Sequence, residues 1–366
     1  MALTTLRVGI DASALARKER TGVSRYALSL VEALGRVDAG DRFLLCYRLS
    51  RLRRARWFHR VRFPNFRHRL FQEGLTPFLQ RSLDVFHGPD ARIPRLGKVP
   101  LVATVHDVFS LDSEKWADEG FREKKRRAYA DLAARARFLL FVSTHSRDRF
   151  LEHHPVEAAR VRVVAEGVDA DFGKLDPARA DAARRRLGVP PEYLLFLGQI
   201  GARKNAVRLL EAYARLPVAA PPLVLAGPRK HGSEEVREAH RRLGLGARAL
   251  FLGHVGEDAL APLYAGARAL LFPSLDEGFG LPVVEAFACG TPVLASTAGA
   301  LPETAGGAAL LVDPLSVDAL EDGIRRLLED GALRRDLVAR GRARAAGMTW
   351  EATARRTLEV YREAAR

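Results

Sequence analysis

PSLDEGFGLPVVEAFACGTP, residues 273–292, is the stretch that decides the fold of this 366-residue chain. The apolar run Ala269–Phe272 before it predicts a buried strand. The run Pro282–Ala288 after it predicts a helix with proline in its first turn, where the missing N–H is not needed. A strand, a glycine-containing turn and a helix N-terminus together present free backbone N–H groups to an anion such as a phosphate. The sequence therefore predicts an anion site at this turn.

Two carboxylates flank the predicted anion site. Glu277 lies in the turn and Glu285 lies eight residues later, just inside the helix. A carboxylate beside a phosphate is favourable only where hydroxyl groups donate hydrogen bonds to it. A nucleotide sugar offers both a diphosphate and sugar hydroxyls. The alternative is that both residues are helix-capping glutamates on an ordinary α/β turn.

The stretch resembles the E-x7-E signature of the retaining glycosyltransferases of family 4, which have the two-domain GT-B fold. The resemblance extends over nearly the whole chain, because further segments match in the same order. It implies that Glu285 binds the ribose hydroxyls of the nucleotide and that Glu277 faces the hydroxyls of the donor sugar. It also implies that the backbone of Phe279, Gly280 and Leu281 lines the diphosphate and the sugar.

The length of the chain predicts two domains, at roughly 100–200 residues per domain. Apolar runs alternate with amphipathic segments, which predicts an α/β protein with parallel sheets covered by helices. The predicted strands are Leu6–Ile10, Phe43–Tyr47, Leu101–Val105, Phe138–Val142, Leu194–Leu197, Leu223–Ala226, Ala249–Leu252, Ala269–Phe272, Pro292–Ala295 and Ala308–Val312.

The resemblance implies two Rossmann-like domains that face a cleft. We place the acceptor-side domain at residues 1–169, together with the C-terminal helix 351–366, which is expected to cross back onto it. The nucleotide-sugar domain is placed at residues 170–350. Closure of the cleft would exclude water from the donor sugar.

Two features of the first half are predicted to reach the donor. A strand ending at Ile10 is followed by a turn at Gly22 and a helix to about Leu34, and glycine there allows close approach to a phosphate. His106 follows the strand Leu101–Val105, where ligands bind in open α/β sheets. His106 could form a hydrogen bond with a sugar hydroxyl or titrate near neutral pH. The resemblance implies that it is the active-site histidine of the family, which lies near the 6-hydroxyl of the donor sugar. The alternative is a structural histidine.

Two cations follow the first predicted strand and glycine loop of the second half of the chain. Arg203 and Lys204 precede the predicted helix Ala206–Arg215, and cations at a helix start oppose the macrodipole unless an anion neutralises them. A donor diphosphate would do so, and the G-x4-R-K-N pattern resembles the family's mannosyltransferase-like branch. Val255 follows a later strand, in the loop that meets the nucleobase in the family.

No cofactor and no metal are expected beyond the nucleotide-diphosphate sugar itself. Asp169 and Asp171 form a D-x-D pair that would suit a metal-dependent glycosyltransferase, but their segment matches the family's inter-domain linker. Arg203 and Lys204 would then stabilise the departing diphosphate in place of a divalent ion.

The net charge of +15 is concentrated in the first half, with +12 on residues 1–169 and +3 on residues 170–366. An arginine tract, Arg48–Arg69, contains aromatic residues and no acid. Its arginines are Arg48, Arg51, Arg53, Arg54, Arg56, Arg60, Arg62, Arg67 and Arg69. The tract suits contact with an anionic membrane, and the alternative is a solvated face that reflects a GC-rich genome. Nucleic acid is not an expected partner, because no recognition motif accompanies the tract.

The remaining features favour a cytoplasmic enzyme, and the arginine tract would allow a peripheral place at the inner face of the membrane. No apolar stretch approaches the roughly 20 residues needed to span a bilayer, and the N-terminus lacks a signal-peptide pattern. Cys46 and Cys289 lie in apolar contexts and are expected to be buried thiols.

The sequence therefore predicts a retaining, metal-independent glycosyltransferase of polysaccharide biosynthesis. It would move a hexose from a nucleotide-diphosphate sugar, with GDP-mannose favoured, to a glycan or a lipid-linked acceptor. Two alternatives remain. One is another GT-B-like sugar-nucleotide enzyme, such as an epimerase or a phosphorylase. The other is a non-catalytic, basic membrane-binding module.

Overall fold

The computed structural model describes residues 5–16, 22–50, 63–72, 77–174, 176–229 and 231–366. The chain divides into two compact units. Unit 1 comprises Met1–Asp112, Glu119–Gly167 and Trp350–Arg366, and unit 2 comprises Ser113–Asp118 and Val168–Thr349. Most of each unit is therefore one continuous half of the chain, and the last helix belongs to the first half.

Unit 1 is built on a parallel sheet with the strand order β3-β2-β1-β4-β5-β6-β7. The strands are β1 (Arg7–Asp11), β2 (Arg42–Arg48), β3 (Phe66–Phe71), β4 (Val85–Gly88), β5 (Leu101–Val105), β6 (Phe138–Phe141) and β7 (Val161–Val163). Its first helices are α1 (Gly22–Val37), α2 (Pro77–Ser82), α3 (Phe109–Asp112), α4 (Glu119–Arg135) and α5 (Thr144–His153). The order of the strands reverses between β1 and β4, and ligands bind beyond the carboxyl ends of strands at such a point.

Unit 2 repeats this plan with the strand order β10-β9-β8-β11-β12-β13, again parallel throughout. The strands are β8 (Leu194–Leu197), β9 (Leu223–Ala226), β10 (Ala249–Gly253), β11 (Ala269–Phe272), β12 (Val293–Ser296) and β13 (Leu310–Val312). Its helices are α6 (Pro177–Arg186), α7 (Ala206–Ala214), α8 (Ser233–Arg242), α9 (Glu257–Ala265), α10 (Leu281–Cys289), α11 (Leu301–Ala305), α12 (Val317–Glu329) and α13 (Gly331–Ala346). The order reverses between β8 and β11, which are the two strands that precede the predicted donor residues.

The chain returns to unit 1 in its last helix, α14 (Trp350–Ala364), which packs along α1. The contact includes buried aromatic rings and an ion pair: the ring of the buried Trp350 meets the ring of Tyr26 edge-on at 5.7 Å, and Arg36 Nε lies 2.8 Å from Glu351 Oε1. The Thr353 hydroxyl donates to the carbonyl oxygen of Ala165 at 2.8 Å. The C-terminal helix is thus an integral part of the core of unit 1.

All of the predicted strands are present, with ends that shift by at most two residues. The prediction of an α/β protein with two Rossmann-like domains is confirmed. Three strands, β3, β4 and β7, were not predicted. Each is short or interrupted by polar residues, and β3 lies at a sheet edge with four of its six side chains exposed. Its exposed Arg67 and Arg69 belong to the arginine tract, so part of that tract is an edge strand.

The remainder of the tract, including Arg51, Arg53, Arg54, Arg56, Arg60 and Arg62, lies outside the described residues. Arg48 ends β2 and forms an ion pair with Asp11, with 3.1 Å between Nε and Oδ2. In the part of the chain that the structure covers, no helix has the length and apolar character that crossing a membrane requires. Cys46 is fully buried as expected, whereas Cys289 is only half-buried.

Candidate active site

The turn between β11 and α10 needs glycine at the position that precedes the helix. Gly280 has a φ of 101°, in the left-handed region, and a Cβ there would lie 2.6 Å from Leu301 Cδ2. A side chain at this position would strain the backbone and clash with α11. Leu281 then begins the helix, and Pro282 occupies its first turn as predicted. The preceding Phe279 is buried, and its carbonyl oxygen accepts a hydrogen bond from the Thr304 hydroxyl at 2.6 Å.

Glu277 is bound to both predicted cations. Its Oε1 accepts a hydrogen bond from Lys204 Nζ, and its Oε2 lies 3.2 Å from Arg203 Nη1. Arg203 also donates to the carbonyl oxygen of Asp276. Glu277 and Lys204 are each only 8% exposed. These three side chains form the ion cluster of unit 2.

Two close approaches at the carboxyl ends of β8 and β11 position Lys204. Its ammonium group lies 4.5 Å from the centroid of the Phe272 ring. Its Cε lies beside Gly198, where an added Cβ would be only 3.4 Å away. Gly227, which follows β9, has a φ of 142°, and a Cβ there would lie 1.8 Å from the carbonyl oxygen of Gly198. Glycine is therefore required at position 227. Gly227 packs against the backbone of Gly198, and the aliphatic part of the Lys204 side chain lies next to that same residue.

The ion cluster sets the charge state of Glu277. Burial raises the pKa of a carboxyl group, but the charges of Lys204 and Arg203 outweigh burial here and lower the pKa of Glu277 to about 2. The carboxylate is thus ionised at neutral pH, and the cluster carries a net charge of one positive unit. The sequence indicates that Arg203 and Lys204 need an anion. The structure shows that Glu277 already supplies one.

Glu285 has a different environment. It is 1% exposed on α10, and the hydroxyl of the buried Tyr264 of α9 donates to its Oε2 at 2.8 Å. Sequence reasoning missed Tyr264, because its place depends on how two helices pack. Val255, the other predicted nucleotide contact, is buried in the turn after β10, and the neighbouring His254 is exposed.

In unit 1, both ring nitrogens of His106 are occupied. Nδ1 lies 3.0 Å from Glu166 Oε1, and Nε2 lies 2.9 Å from the carbonyl oxygen of Pro89. Burial lowers the pKa of the imidazole, but the hydrogen bond and the charge of Glu166 outweigh it, so the pKa of His106 is raised. Glu166, and not the neighbouring Asp107, is the residue that bonds this ring.

A chain of buried hydrogen bonds lies beside His106 and was not predicted. The Tyr361 hydroxyl of α14 lies 2.6 Å from His87 Nδ1, His87 Nε2 lies 2.8 Å from Thr104 Oγ1, and that oxygen lies 3.2 Å from the Tyr26 hydroxyl. The edge of the Tyr26 ring meets the His106 ring at 4.5 Å. The chain joins α14, β4, β5 and α1, and we call it the His87 chain.

The structure brings Arg203, Lys204 and Glu277 into direct contact, with Glu285 buried on α10. Gly22 begins α1 and is exposed, and among the described residues a Cβ added to it would have no atom within 4 Å. Gly22 and His106 belong to unit 1, and the other predicted site residues belong to unit 2.

The two carboxylates of the D-x-D pair, Asp169 and Asp171, lie near the start of the main segment of unit 2. Among the described residues, no group of three or more His, Cys, Asp or Glu could hold a metal ion. Asp171 is exposed, and Asp169 precedes a single short turn of 3₁₀ helix, Ala170–Gly173. The pair thus lies in the segment that follows the boundary between the two units.

Two family models match the chain. Residues 20–172 match the model described as Glycosyltransferase Family 4, and residues 179–344 match the model described as Glycosyl transferases group 1. Together the two matches cover most of both units.

Curated relatives agree with these matches. The chain is 31% identical over 283 residues to O-antigen chain mannosyltransferase B of Escherichia coli, an alignment that covers 76% of this chain and 74% of that protein. It is 32% identical over 280 residues to the D-inositol 3-phosphate glycosyltransferase of Rhodococcus opacus (strain B4), which covers 73% of this chain and 62% of the relative. It is 30% identical over 269 residues to the serotype-specific mannosyltransferase WbdA of Escherichia coli, and it spans only 33% of that longer protein.

Solved structures show the same fold over nearly the whole chain. Sucrose-phosphate synthase from Thermosynechococcus elongatus has a TM-score of 0.76 at 23% identity and covers 98% of both chains. Anabaena HepE in complex with UDP has a TM-score of 0.75 at 20% identity, and it covers 98% of this chain and 100% of its own. WaaG, a glycosyltransferase of lipopolysaccharide biosynthesis, has a TM-score of 0.72 at 19% identity, and it covers 97% of this chain and 99% of its own. These likenesses confirm the GT-B fold class. The family matches and the curated relatives show that the chain belongs to the group 1 glycosyl transferases and is a glycosyltransferase.

Proposed function

We propose that this glycosyltransferase moves a hexose, with mannose the first candidate, from a nucleotide-diphosphate sugar to a glycan or lipid-linked acceptor. We further propose that the transfer retains the anomeric configuration and needs no metal. The observation that carries the proposal is the buried ion cluster of Arg203, Lys204 and Glu277 at the carboxyl ends of β8 and β11. Arg203 and Lys204 thus lie at the carboxyl ends of parallel strands, which is where open α/β sheets bind their ligands.

The chemistry of the cluster suits a leaving diphosphate. Negative charge grows on the diphosphate as the bond to the sugar breaks, and preorganised donors stabilise such developing charge most strongly in a site that excludes water. Lys204 is held by Glu277 and by the Phe272 ring, so little reorganisation is required. The surplus positive charge of the cluster favours an incoming anion.

The state of Glu277 argues against a covalent mechanism through this residue. A carboxylate with a pKa of about 2 that bonds two cations is a weak nucleophile. We therefore propose front-face attack. The acceptor oxygen bonds to the anomeric carbon as the carbon–oxygen bond to the diphosphate breaks, and a leaving phosphate oxygen takes the proton of the acceptor hydroxyl.

The choice of donor and acceptor rests on the relatives. Two of them are named as mannosyltransferases, which favours GDP-mannose over UDP-glucose and UDP-N-acetylglucosamine. Another relative is named as a D-inositol 3-phosphate glycosyltransferase, so a small phosphorylated polyol belongs among the acceptors to be tested.

A thermal-shift panel of these three nucleotide sugars, followed by a transfer assay, tests the proposal. A donor at a hundredfold excess over its dissociation constant stabilises the folded protein by about 2.7 kcal/mol. We expect GDP-mannose to give the largest shift, and we expect EDTA to leave transfer unchanged. An epimerised nucleotide sugar formed with no acceptor present would favour the epimerase alternative, and a sugar phosphate formed from a glycan and inorganic phosphate would favour the phosphorylase alternative. A strict metal requirement would restore the Asp169–Asp171 interpretation.

A further inference from the structure

The hydrogen bonds of His106 define where its protons lie. A carbonyl oxygen only accepts, so the 2.9 Å contact with Pro89 requires a proton on Nε2. The 3.0 Å contact with Glu166 places a carboxylate oxygen at Nδ1, which donates in turn. An imidazole that donates from both nitrogens carries a positive charge. These contacts fit an imidazolium that donates to a Glu166 carboxylate and to the Pro89 carbonyl oxygen.

The surroundings of the pair hold both side chains in place. Glu166 is 5% exposed, so its carboxylate needs a charged or hydrogen-bonded partner. The backbone on each side is also fixed, because Thr353 of α14 donates to the carbonyl oxygen of Ala165 and the Ser146 hydroxyl donates to the carbonyl oxygen of His106. The C-terminal helix thus secures the segment that carries Glu166.

No other titratable group that faces the ring from the described elements supplies the same bond. Tyr26 of α1 presents a ring edge, and burial raises the pKa of its hydroxyl, so it stays neutral. Burial lowers the pKa of His87 on β4 to about 3, so this histidine is neutral and does not compete for the proton. Asp107, the next residue in the chain, adds a smaller attraction than Glu166.

We propose that Glu166 is a positioning residue that keeps His106 doubly protonated at the carboxyl end of β5. The protein then holds a positive charge there, and not a neutral imidazole whose free nitrogen could accept a proton or a hydroxyl hydrogen. Because both N–H groups are bonded within the protein, the ring would act through its positive charge on a phosphate or sugar oxygen that gains negative charge during transfer. This inference deepens the proposed function and rests on it for its catalytic part, whereas its structural part stands on unit 1 alone.

The structural part is tested by NMR of the full chain labelled with ¹⁵N in its histidine rings. The His106 signal is identified by its loss in His106→Asn. We expect both ring nitrogens of His106 to be protonated at pH 7, with a titration midpoint above the ordinary 6.5. A neutral His106 at pH 7 in the unmodified protein would overturn the proposal without any variant.

Glu166→Gln is the matched change, because the amide oxygen can still accept from Nδ1 or the amide nitrogen donate to it, while the Nε2 bond to Pro89 stays intact. We expect the midpoint of His106 to fall by at least about one pH unit, since the carboxylate charge is gone. Glu157→Gln is the control, because Glu157 is an exposed glutamate of unit 1 whose side chain makes no cap bond. An unchanged midpoint in Glu166→Gln would show that Glu166 does not hold the proton.

The catalytic part is read from the pH profile of kcat in the transfer assay. In Glu166→Gln we expect kcat at pH 7.5 to fall about tenfold or more, with the alkaline limb displaced to lower pH by the same interval as the NMR midpoint. An NMR shift without any change in the kcat profile would refute the use of the charge in transfer. Absence of transfer by the unmodified protein would instead count against the proposed function, and the NMR result would be unaffected.

Discussion

At the scale of single residues, the two glutamates of the E-x7-E pattern have opposite surroundings. Glu277 bonds two cations, and Glu285 accepts a hydrogen bond from a neutral phenol. The first is therefore part of an electrostatic cluster, and the second is a buried acceptor of hydroxyl hydrogen bonds. This difference predicts different consequences of mutating each residue.

We expect Glu285→Ala to raise the KM for the donor with kcat little changed. A contact with ribose is made equally in the ground state and in the transition state, and loss of such uniform binding raises KM alone. Tyr264→Phe should give a smaller rise, because it removes only the group that holds Glu285 in place. Steady-state kinetics with the best donor measures both. A loss of kcat at unchanged KM would contradict the ribose assignment.

We expect Lys204→Ala to lower kcat by about 10²–10³-fold, which is the usual effect of removing one preorganised stabiliser of developing charge. Arg203→Ala should also lower kcat. The control is Lys98→Ala, which removes an exposed lysine of unit 1. Near-normal turnover in both cluster variants would exclude the cluster from the active site.

Glu277→Gln is expected to destabilise the protein by about 3 kcal/mol at pH 7, because it leaves the buried Lys204 and the half-buried Arg203 without the charge of Glu277. The pKa of Glu277 is lowered on folding, so its contribution is complete above the unfolded value of 4.5 and is lost as pH falls toward about 2. The difference in free energy of unfolding between Glu277→Gln and the unmodified protein should therefore shrink by about 1.4 kcal/mol for each pH unit below 4.5.

Urea unfolding at pH 7 and pH 3.5 measures this effect, with Glu329→Gln, an exposed glutamate at the end of α12, as the control. A stability difference that does not depend on pH would show that Glu277 is not ionised in the folded protein.

At the scale of elements, the C-terminal helix α14 is joined to the sheet of unit 1 by the His87 chain. His87 is fully buried and neutral, so one ring nitrogen donates and the other accepts. Both nitrogens are occupied, by Tyr361 and by Thr104. Removal of either partner leaves a buried polar atom unsatisfied.

We expect Tyr361→Phe to reduce the free energy of unfolding by about 1–3 kcal/mol, which is the range for an unpaired buried polar group. Hydrogen exchange at the amides of α14 should also become faster than in the unmodified protein. Glu359→Gln, on the exposed face of the same helix, is the control. Unchanged exchange in α14 would mean that its other contacts hold the helix without the Tyr361 hydroxyl.

At the scale of the whole molecule, positive charge is concentrated in the first half of the chain, where the arginine tract lies. We expect replacement of Arg51, Arg53, Arg54 and Arg56 by glutamine to weaken binding to anionic vesicles by several kcal/mol, at roughly 1 kcal/mol for each arginine. Binding should also weaken with salt, because the Debye length falls from about 10 Å at 0.1 M to about 3 Å at 1 M.

Donor binding measured by thermal shift should be unchanged in this variant, because the proposed diphosphate and ribose contacts belong to unit 2. Equal vesicle binding by the variant and the unmodified protein would reduce the tract to a solvated basic face. A soluble acceptor would then be favoured.

The sequence by itself determined the elements whose signal is local. Continuous apolar runs such as Leu194–Leu197 and Ala269–Phe272 identified the buried strands, because only a strand covered on both faces is apolar throughout. Gly280 and Pro282 marked the start of α10 for equally local reasons, a left-handed backbone and a missing N–H. The family resemblance followed from such motifs and their order along the chain.

Only the tertiary structure decided which polar groups meet. Lys204 and Glu277 are 73 residues apart in sequence, and His106 and Glu166 are 60 apart, so no local pattern pairs them. The strand β3 escaped prediction because an edge strand exposes most of its side chains and then lacks an apolar run. Packing of parallel strands brings their carboxyl ends together, and this packing turns separate candidate residues into an ion cluster and an imidazolium pair.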